Sequence, residues 1–578
     1  MSTSFSSRKS SFTAQNSTLA TILTGVVADE NLTKRQRQDL ASALRTVAKV
    51  LGRPLDDLPA HPGQFRDRLK DFVPAMAGIS PGRWANTMSL TRQALKRAGL
   101  VHVPARSRVP FAPRWTALFR LLQEKQARLG LTRFARYCTV RGIDPEDVGD
   151  ATFAAYLEDL TTASLSELPR KLQRRVVVIW SRMAETTPDW PQQAVTIPDY
   201  RRTYALPWSS FPPTLKRDVD AYLDRQAGTD ILDDAGFRPL RPASIRTLAH
   251  ELSIYLSAMV HSGHDPQGLR LLSDVVAVPV VKDGLRFFLE RAKRRSTKPS
   301  NAQAHRIAFR VRCLAQHWVK VDAAHLLALQ RLCKNLEPGH TGMTEKNRSR
   351  LRQFDDPDNV RKLVRLPEKL AKEVARSKAP SQPSRAEALL LQSALAVEVL
   401  LMLPIRRANL AGLNLERHFA RSRRGVVHLV IPGHEVKNGT GIEAMLPPQT
   451  VQLLDLYVAR YRPLLLTEAS PWLFPGVGSR PKSRERLGLQ IGACVKRHCG
   501  LLVNPHLFRH IAAKLYLDAH PGAYGVVRLL HGHKSVDTTT RFYCGEETAA
   551  AIQHYDAHVL DVRGLAPAGA SASTRSRR

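Results

Sequence analysis

Along most of the chain, apolar residues recur every three or four positions, the pattern of helices with one face toward a core. The pattern halts repeatedly at a glycine, followed by a short turn with proline or acidic residues and then another apolar position. Leu40 to Leu58 ends in GRPLDDL, Phe134 to Val148 in GIDPEDV, and Leu252 to Leu269 in GHDPQGL. Glycine just past a helix end, with proline soon after, stops a helix because only glycine enters the left-handed region without strain and proline cannot continue the ladder. The second stretch continues as Phe153-Ala-Ala-Tyr156-Leu157, the start of a further short helix. The three stretches fit either a degenerate internal repeat or independent use of a common stop signal.

After Ser384 the pattern changes. A long apolar helix leads to Arg406, and the alternation in Val426-Val-His-Leu-Val-Ile431 and Gly441-Ile-Glu-Ala-Met-Leu446 predicts two strands around the turn Lys437-Asn-Gly-Thr-Gly441. Helices then resume, giving an α+β domain over roughly residues 385–560. Proline-rich, non-periodic stretches at 101–114, 187–213 and 377–384 read as linkers, because proline fits neither a helix interior nor a sheet ladder. The expected organisation is therefore a helical N-terminal module at 1–100, a second at 114–187, a third helical domain at 214–376, the α+β domain at 385–565 and a basic tail at 566–578. The fold class is mainly α and multidomain, with one small β-sheet at the C-terminal end.

Charge narrows the partner. Lys and Arg outnumber Asp and Glu by 87 to 51 in 578 residues, a formal net charge of +36, and such a chain seeks a polyanion. The Ser-rich segment 1–16 lacks the apolar core of a signal peptide, and the longest apolar run, Ala388 to Ile405, is interrupted by Gln392, Ser393 and Glu398. That run predicts a buried helix and no membrane span, which leaves nucleic acid as the partner. Arg291-Ala-Lys-Arg-Arg295 and the helix over 302–319, with His305, Arg306, Arg310, Arg312 and Trp318, are the expected contacts to a DNA backbone. Six irregularly spaced cysteines fit a reducing cytoplasm without a disulfide framework. Cys494, His498 and Cys499 match no common zinc spacing and read as core or surface groups, so no metal is expected.

Cleaving a phosphodiester without metal requires a nucleophile, a clamp for the non-bridging oxygens, an acid for the leaving 5′ oxygen, and groups that move the proton or hold the phosphate. The C-terminal domain carries such groups in order. They are Pro404-Ile-Arg406-Arg407-Ala-Asn409-Leu410-Ala-Gly-Leu413, Lys437 in the turn, His506-Leu-Phe508-Arg509-His510, Leu529-Leu-His531-Gly-His533-Lys-Ser535, and Thr538-Thr-Thr-Arg541-Phe542-Tyr543. Residues i and i+3 share a helix face, so His506 and Arg509 can approach one phosphate together.

Taken together, these segments resemble the tyrosine recombinases, or phage integrases, over residues 385–560. The resemblance implies that Arg406 is the first clamp arginine, with Arg407 the one-residue alternative, and that Arg509 is the second. It implies Lys437 as the donor to the leaving oxygen, His506 as proton acceptor or phosphate partner, His533 as a further active-site histidine and Tyr543 as the nucleophile. Three departures stand out: Asn409 where the family commonly has an acid, Phe508 where it has leucine, and His531 ahead of the glycine. Tyr543 lies ten residues after His533, one more than in many members, and the ninth is Phe542, which has no hydroxyl. By resemblance the reaction forms a 3′-phosphotyrosyl bond and frees a 5′-hydroxyl, with no cofactor.

Family members act on double-stranded DNA as tetramers, and the helical pattern of 546–562 suits docking on a neighbouring subunit. On this reading the third helical domain is the core-binding half of a clamp around DNA, and the extra N-terminal modules suit the integrase or transposase of a mobile element in the cytoplasm, associated with the nucleoid. The rival readings are a type IB topoisomerase and a DNA-binding accessory protein with a vestigial site.

Overall fold

A computed structural model describes residues 17–70, 72–102, 109–200, 204–228, 239–294, 300–339, 343–376, 383–532, 555–556, 559 and 562–563. The chain divides into two compact units, residues 1–198 with 343–578, and residues 199–342. The described residues are mostly helical, with one three-stranded sheet. Among them, no helix is long and apolar enough to cross a membrane.

In the first unit, helices α1 (Leu19–Ala28), α2 (Lys34–Leu51), α3 (Pro62–Leu69) and α4 (Pro81–Arg97) close over Leu19, Leu44, Val47, Phe65 and Leu95. Helices α5 (Pro113–Arg120), α6 (Lys125–Arg141), α7 (Asp150–Thr162) and α8 (Pro169–Thr186) enclose an aromatic core of Trp115, Phe134, Tyr156, Trp180 and Trp190. The second unit holds α9 (Pro213–Ala227), α10 (Pro242–His261), α11 (Val278–Lys293), α12 (Ala302–Leu314) and α13 (Ala323–Asn335), packed around Leu215, Tyr255, Leu256, Phe288 and Ile307.

The three glycine-ended stretches share one local structure. Gly52, Gly142 and Gly263 adopt φ of 61°, 65° and 102° after α2, α6 and α10. The next amide, of Arg53, Ile143 or His264, donates to a carbonyl five residues back, on Ala48, Cys138 or Met259, at 3.1, 3.0 and 3.2 Å. This is the bond that satisfies the orphan carbonyls of a helix end. A single 3-10 turn follows in each, Leu55–Asp57, Pro145–Asp147 and Pro266–Gly268, and then a buried Leu58, Val148 or Leu269. At least two more helices come after each turn, separated in the first group by the 3-10 turn Pro74–Ala77.

Arg66 of α3 donates to the carbonyls of Leu160, Thr161 and Ser164, each at 3.3 Å, and so binds the first helical group to the end of α7. A cation is favoured there by the exposed carbonyls and the helix dipole.

In the second unit, two arginines expected on DNA have partners within the protein. Arg306 and Arg310 pair with the two carboxylate oxygens of buried Glu251 at 2.7 and 2.9 Å, and Trp318 donates to Asp218 at 2.9 Å. A buried carboxylate requires such partners, and the sequence pattern does not reveal that α10 supplies one.

The remaining elements of the first unit are α14 (Glu345–Leu351), α15 (Pro357–Val364), α16 (Leu366–Ala375), α17 (Arg385–Met402), α18 (Arg407–Ala411), β1 (Phe419–Arg421), β2 (Val427–Ile431), β3 (Ile442–Met445), α19 (Pro448–Leu456), α20 (Arg484–Cys499), α21 (Leu507–Ala519) and α22 (Tyr524–His531). Residues 343–376 were expected in the preceding helical domain. Instead Leu351, Phe354, Leu366 and Leu370 share the core of α17 and α20, because their apolar face has its partner on α17. Helix α17 is the buried apolar run, and its polar interruptions are satisfied: Gln392 donates to Tyr457 at 2.7 Å and accepts from Lys482, while Ser393 accepts from Gln490 at 2.9 Å. The sheet is antiparallel in the order β1-β2-β3, with His428 opposite Met445 and Ile431 opposite Ile442. Val427, Leu429 and Ile431 alternate into the core.

Candidate active site

Arg406 stands immediately before α18, half-buried, where the chain leaves the extended Leu403–Ile405 segment. Leu410 and Leu413 anchor this turn in the core. Burial lowers the pKa of the Arg406 guanidinium below its ordinary value. Its Nη1 donates to Oδ1 of Asn438 at 3.3 Å. Arg407 is exposed and faces Glu485 of α20 at 3.5 Å.

The hairpin between β2 and β3 places Lys437 in an exposed turn. Its shape depends on glycine: Gly439 has φ of 78°, and a Cβ on Gly433 would lie 2.4 Å from the Gly439 carbonyl oxygen. Asn409, in place of the acid expected to support Arg406, donates instead to the Glu435 carbonyl at 3.2 Å and holds the base of this loop.

His506 immediately precedes α21, and Arg509 lies in its first turn. Arg509 is buried, at 6% exposure, and donates from Nη1 to the Pro404 carbonyl at 2.7 Å and from Nη2 to the His531 carbonyl at 2.8 Å. A guanidinium carries five N–H donors in a planar fork. Although His506 is exposed as a residue, the protein around its ring lowers its pKa, and the charges of Arg509, Arg406 and Arg407 lower it further. His510 is buried, its ring edge-on to His506 with centroids 5.1 Å apart.

Sequence reasoning passed over Asn438. Its amide accepts from Arg406 and donates to the carbonyl of Gly532, the last described residue before His533. A closed circuit results: Arg406 to Asn438, Asn438 to Gly532, its neighbour His531 to Arg509, and Arg509 to Pro404, two residues from Arg406. An asparagine in a glycine-rich turn carries no sequence signal beyond the turn itself.

His533, Tyr543, the helix expected over 546–562 and the tail 566–578 lie outside the described residues, apart from the few described positions after 554. Cys494 and Cys499 are core thiols whose pKa burial pushes up to about 11, and Cys499 donates to the Lys362 carbonyl at 3.3 Å. Among the described residues, no group of three or more His, Cys, Asp or Glu side chains is gathered to hold a metal ion.

No protein-family profile and no curated protein sequence matches the chain. Among solved structures it is similar to the post-cleavage complex of the XerH site-specific recombinase with palindromic difH substrate, at 12% identity and a TM-score of 0.30, over 58% of this chain and 95% of that one. The pre-cleavage XerH complex gives 12% and 0.30 over 58% and 93%, and the XerA recombinase 15% and 0.23 over 57% and 92%.

Proposed function

We propose that this chain is a tyrosine-type site-specific DNA recombinase. The observation that carries the reading is the hydrogen-bonded circuit that joins Arg406, through Asn438 in the turn that bears Lys437, to Gly532, and joins Arg509, in the first turn of the helix that follows His506, to the carbonyls of His531 and Pro404. Two arginines tied into one circuit beside His506 form a site for a phosphoryl group on which negative charge develops.

In this reading Arg406 and Arg509 hold the non-bridging oxygens of a DNA phosphate. The Tyr543 oxygen attacks phosphorus, and its proton passes to a neighbouring base, with His533, or the neutral form of His506, as the candidates. Tyrosine has a pKa of about 10, so the proton must leave during attack. The bond from phosphorus to the 5′ oxygen breaks, and that oxygen takes a proton from Lys437. The 3′-phosphotyrosyl ester conserves the bond energy, so a 5′-hydroxyl from another strand reverses the step without a nucleotide cofactor. The partner is double-stranded DNA, held by an assembly of protomers, and the helical groups ahead of residue 343 suit the integrase or transposase of a mobile element.

The test uses a nicked duplex selected for binding from a random-sequence pool and read on denaturing gels. A covalent protein–DNA band that survives EDTA and vanishes in Tyr543→Phe is the expected result. Absence of the band on DNA the protein demonstrably binds would place an accessory DNA-binding role ahead.

A further inference from the structure

The circuit around the candidate site has one member with no assigned role. Asn438 follows Lys437 directly, in a turn closed by the Gly439 amide on the Val436 carbonyl at 3.1 Å. Its two hydrogen bonds reach the first clamp arginine and the chain entering the His533 segment. A guanidinium only donates and a carbonyl only accepts, so both partners dictate the same orientation of the amide. Only a side chain that accepts at one atom and donates at another meets both. Gly532 is shaped for this approach: its φ is 57°, and a Cβ there would stand 3.3 Å from Asn438 Nδ2.

The bond to Arg406 is long, at 3.3 Å. Arg406 is also fixed by its own backbone, between the anchored Pro404 and the buried Leu410. Lys437 is exposed between the buried Val436 and the half-buried Asn438, and its loop is held at the base by Asn409 and near the tip by Asn438.

Resting on the recombinase reading, we propose that Asn438 is the positioning residue for Lys437, pinning the hairpin tip against the Gly532 carbonyl so that the ammonium meets the leaving 5′ oxygen. The effect of losing Asn438 then falls on protonation of the leaving group, and hardly on phosphate binding or on attack.

A sulfur in the 5′ bridging position separates these effects, because a thiolate leaves without an acid: a thiol has a pKa of about 8.5. Wild type, Lys437→Ala, Asn438→Ala and Arg406→Ala are each given the same duplex with 5′-oxygen or 5′-sulfur, and single-turnover formation of the covalent complex is timed. With oxygen, Lys437→Ala is expected to slow by about 100-fold or more and Asn438→Ala by about 10- to 100-fold, the range of general acid catalysis. With sulfur, both should return to within a few fold of wild type, while Arg406→Ala stays slow. Gel-shift affinity for the uncleaved duplex checks that Asn438→Ala folds and binds.

Full activity of Asn438→Ala on the oxygen substrate, or an equal defect on both substrates, overturns the assignment. Failure of wild type to form the covalent complex on either substrate is a separate result: it removes the recombinase reading, and this inference with it.

Discussion

Arg509 donates to the carbonyl of Pro404 at 2.7 Å, across 105 residues of sequence. The second arginine of the candidate clamp thereby fixes the backbone two residues ahead of the first, and its other arm holds His531 at the end of α22. One buried guanidinium is both a phosphate donor in the proposed reaction and the bracket that assembles the site.

This double use predicts a contrast between the two arginines. Arg509→Lys removes the fork that spans two carbonyls, and hydrogen bonds to charged groups contribute about 1.5–3 kcal/mol each, so a loss of roughly 2–4 kcal/mol is expected in urea unfolding. Arg406→Lys breaks only the 3.3 Å bond to Asn438 and should cost less than about 1 kcal/mol. Both should abolish covalent complex formation. Equal destabilisation of the two variants would show that the bracket contributes nothing of its own.

His506 predicts a pH dependence. Its folded-state pKa lies below the ordinary histidine value because of the protein around its ring and the charges of Arg509, Arg406 and Arg407. The unfolded chain therefore takes up this proton first as pH falls, and the contribution of His506 to stability, full at higher pH, is lost as pH drops through the ordinary value of about 6.5 toward the folded pKa. A DNA phosphate among those arginines reverses the balance by favouring the imidazolium. DNA binding should accordingly absorb protons and tighten as pH falls from 8 to 6, by up to about tenfold per pH unit for one coupled proton. Fluorescence anisotropy across that range checks this, and His506→Asn should flatten the pH dependence. An unchanged slope in that variant would mean that another group takes up the proton.

Local signals in the chain were legible and long-range ones were not. The helix ends at Gly52, Gly142 and Gly263 could be read because a left-handed cap and the bond five residues back are encoded within seven residues. Strands β2 and β3 could be read because Val427, Leu429 and Ile431 alternate. Strand β1 could not, since Phe419–Arg421 is three residues long and largely exposed, with no alternation to detect. The placement of 343–376 misled for a different reason: the proline-rich stretch after it looks like a domain boundary, and only the apolar face of α17 shows which side those helices pack on. The candidate residues are named by their motifs. Asn438, the carbonyl ties of Arg509 and the shift of Asn409 to the Glu435 carbonyl depend on partners brought together by the fold.

Gly500 predicts how the first helical group communicates with this site. It ends α20 with φ of 77°, six residues ahead of His506, and a Cβ there would stand 2.9 Å from the Met76 amide nitrogen and 3.1 Å from the Ala75 carbonyl carbon. Those atoms are backbone of the 3-10 turn Pro74–Ala77 and cannot rotate away. Gly142 has φ of 65° and open space around the same position. Gly142→Ala should therefore pay only the left-handed strain of roughly 1–2 kcal/mol. Gly500→Ala should pay that and also part the turn from α20, visible as faster limited proteolysis around residues 70–80. Matching proteolysis of the two variants would sink the coupling.

The pairing of Arg310 with Glu251 predicts what this part of the basic charge does. Glu251 is 4% exposed and bonded to Arg306 at 2.7 Å and Arg310 at 2.9 Å. Removing one partner of a buried charge costs up to about 3–5 kcal/mol, and the second arginine softens that here, so Arg310→Ala should lose roughly 2 kcal/mol. A side chain on a DNA phosphate behaves differently: its loss changes the slope of log affinity against log salt by about 0.9. For Arg310→Ala the expected outcome is lower stability with the slope unchanged, measured by urea unfolding and by binding titrations from 50 to 200 mM salt, roughly the range over which counterion release acts. A slope reduced by about one with stability intact would return Arg310 to the DNA surface, and the ion pair to Glu251 would then have to open when the nucleic acid binds.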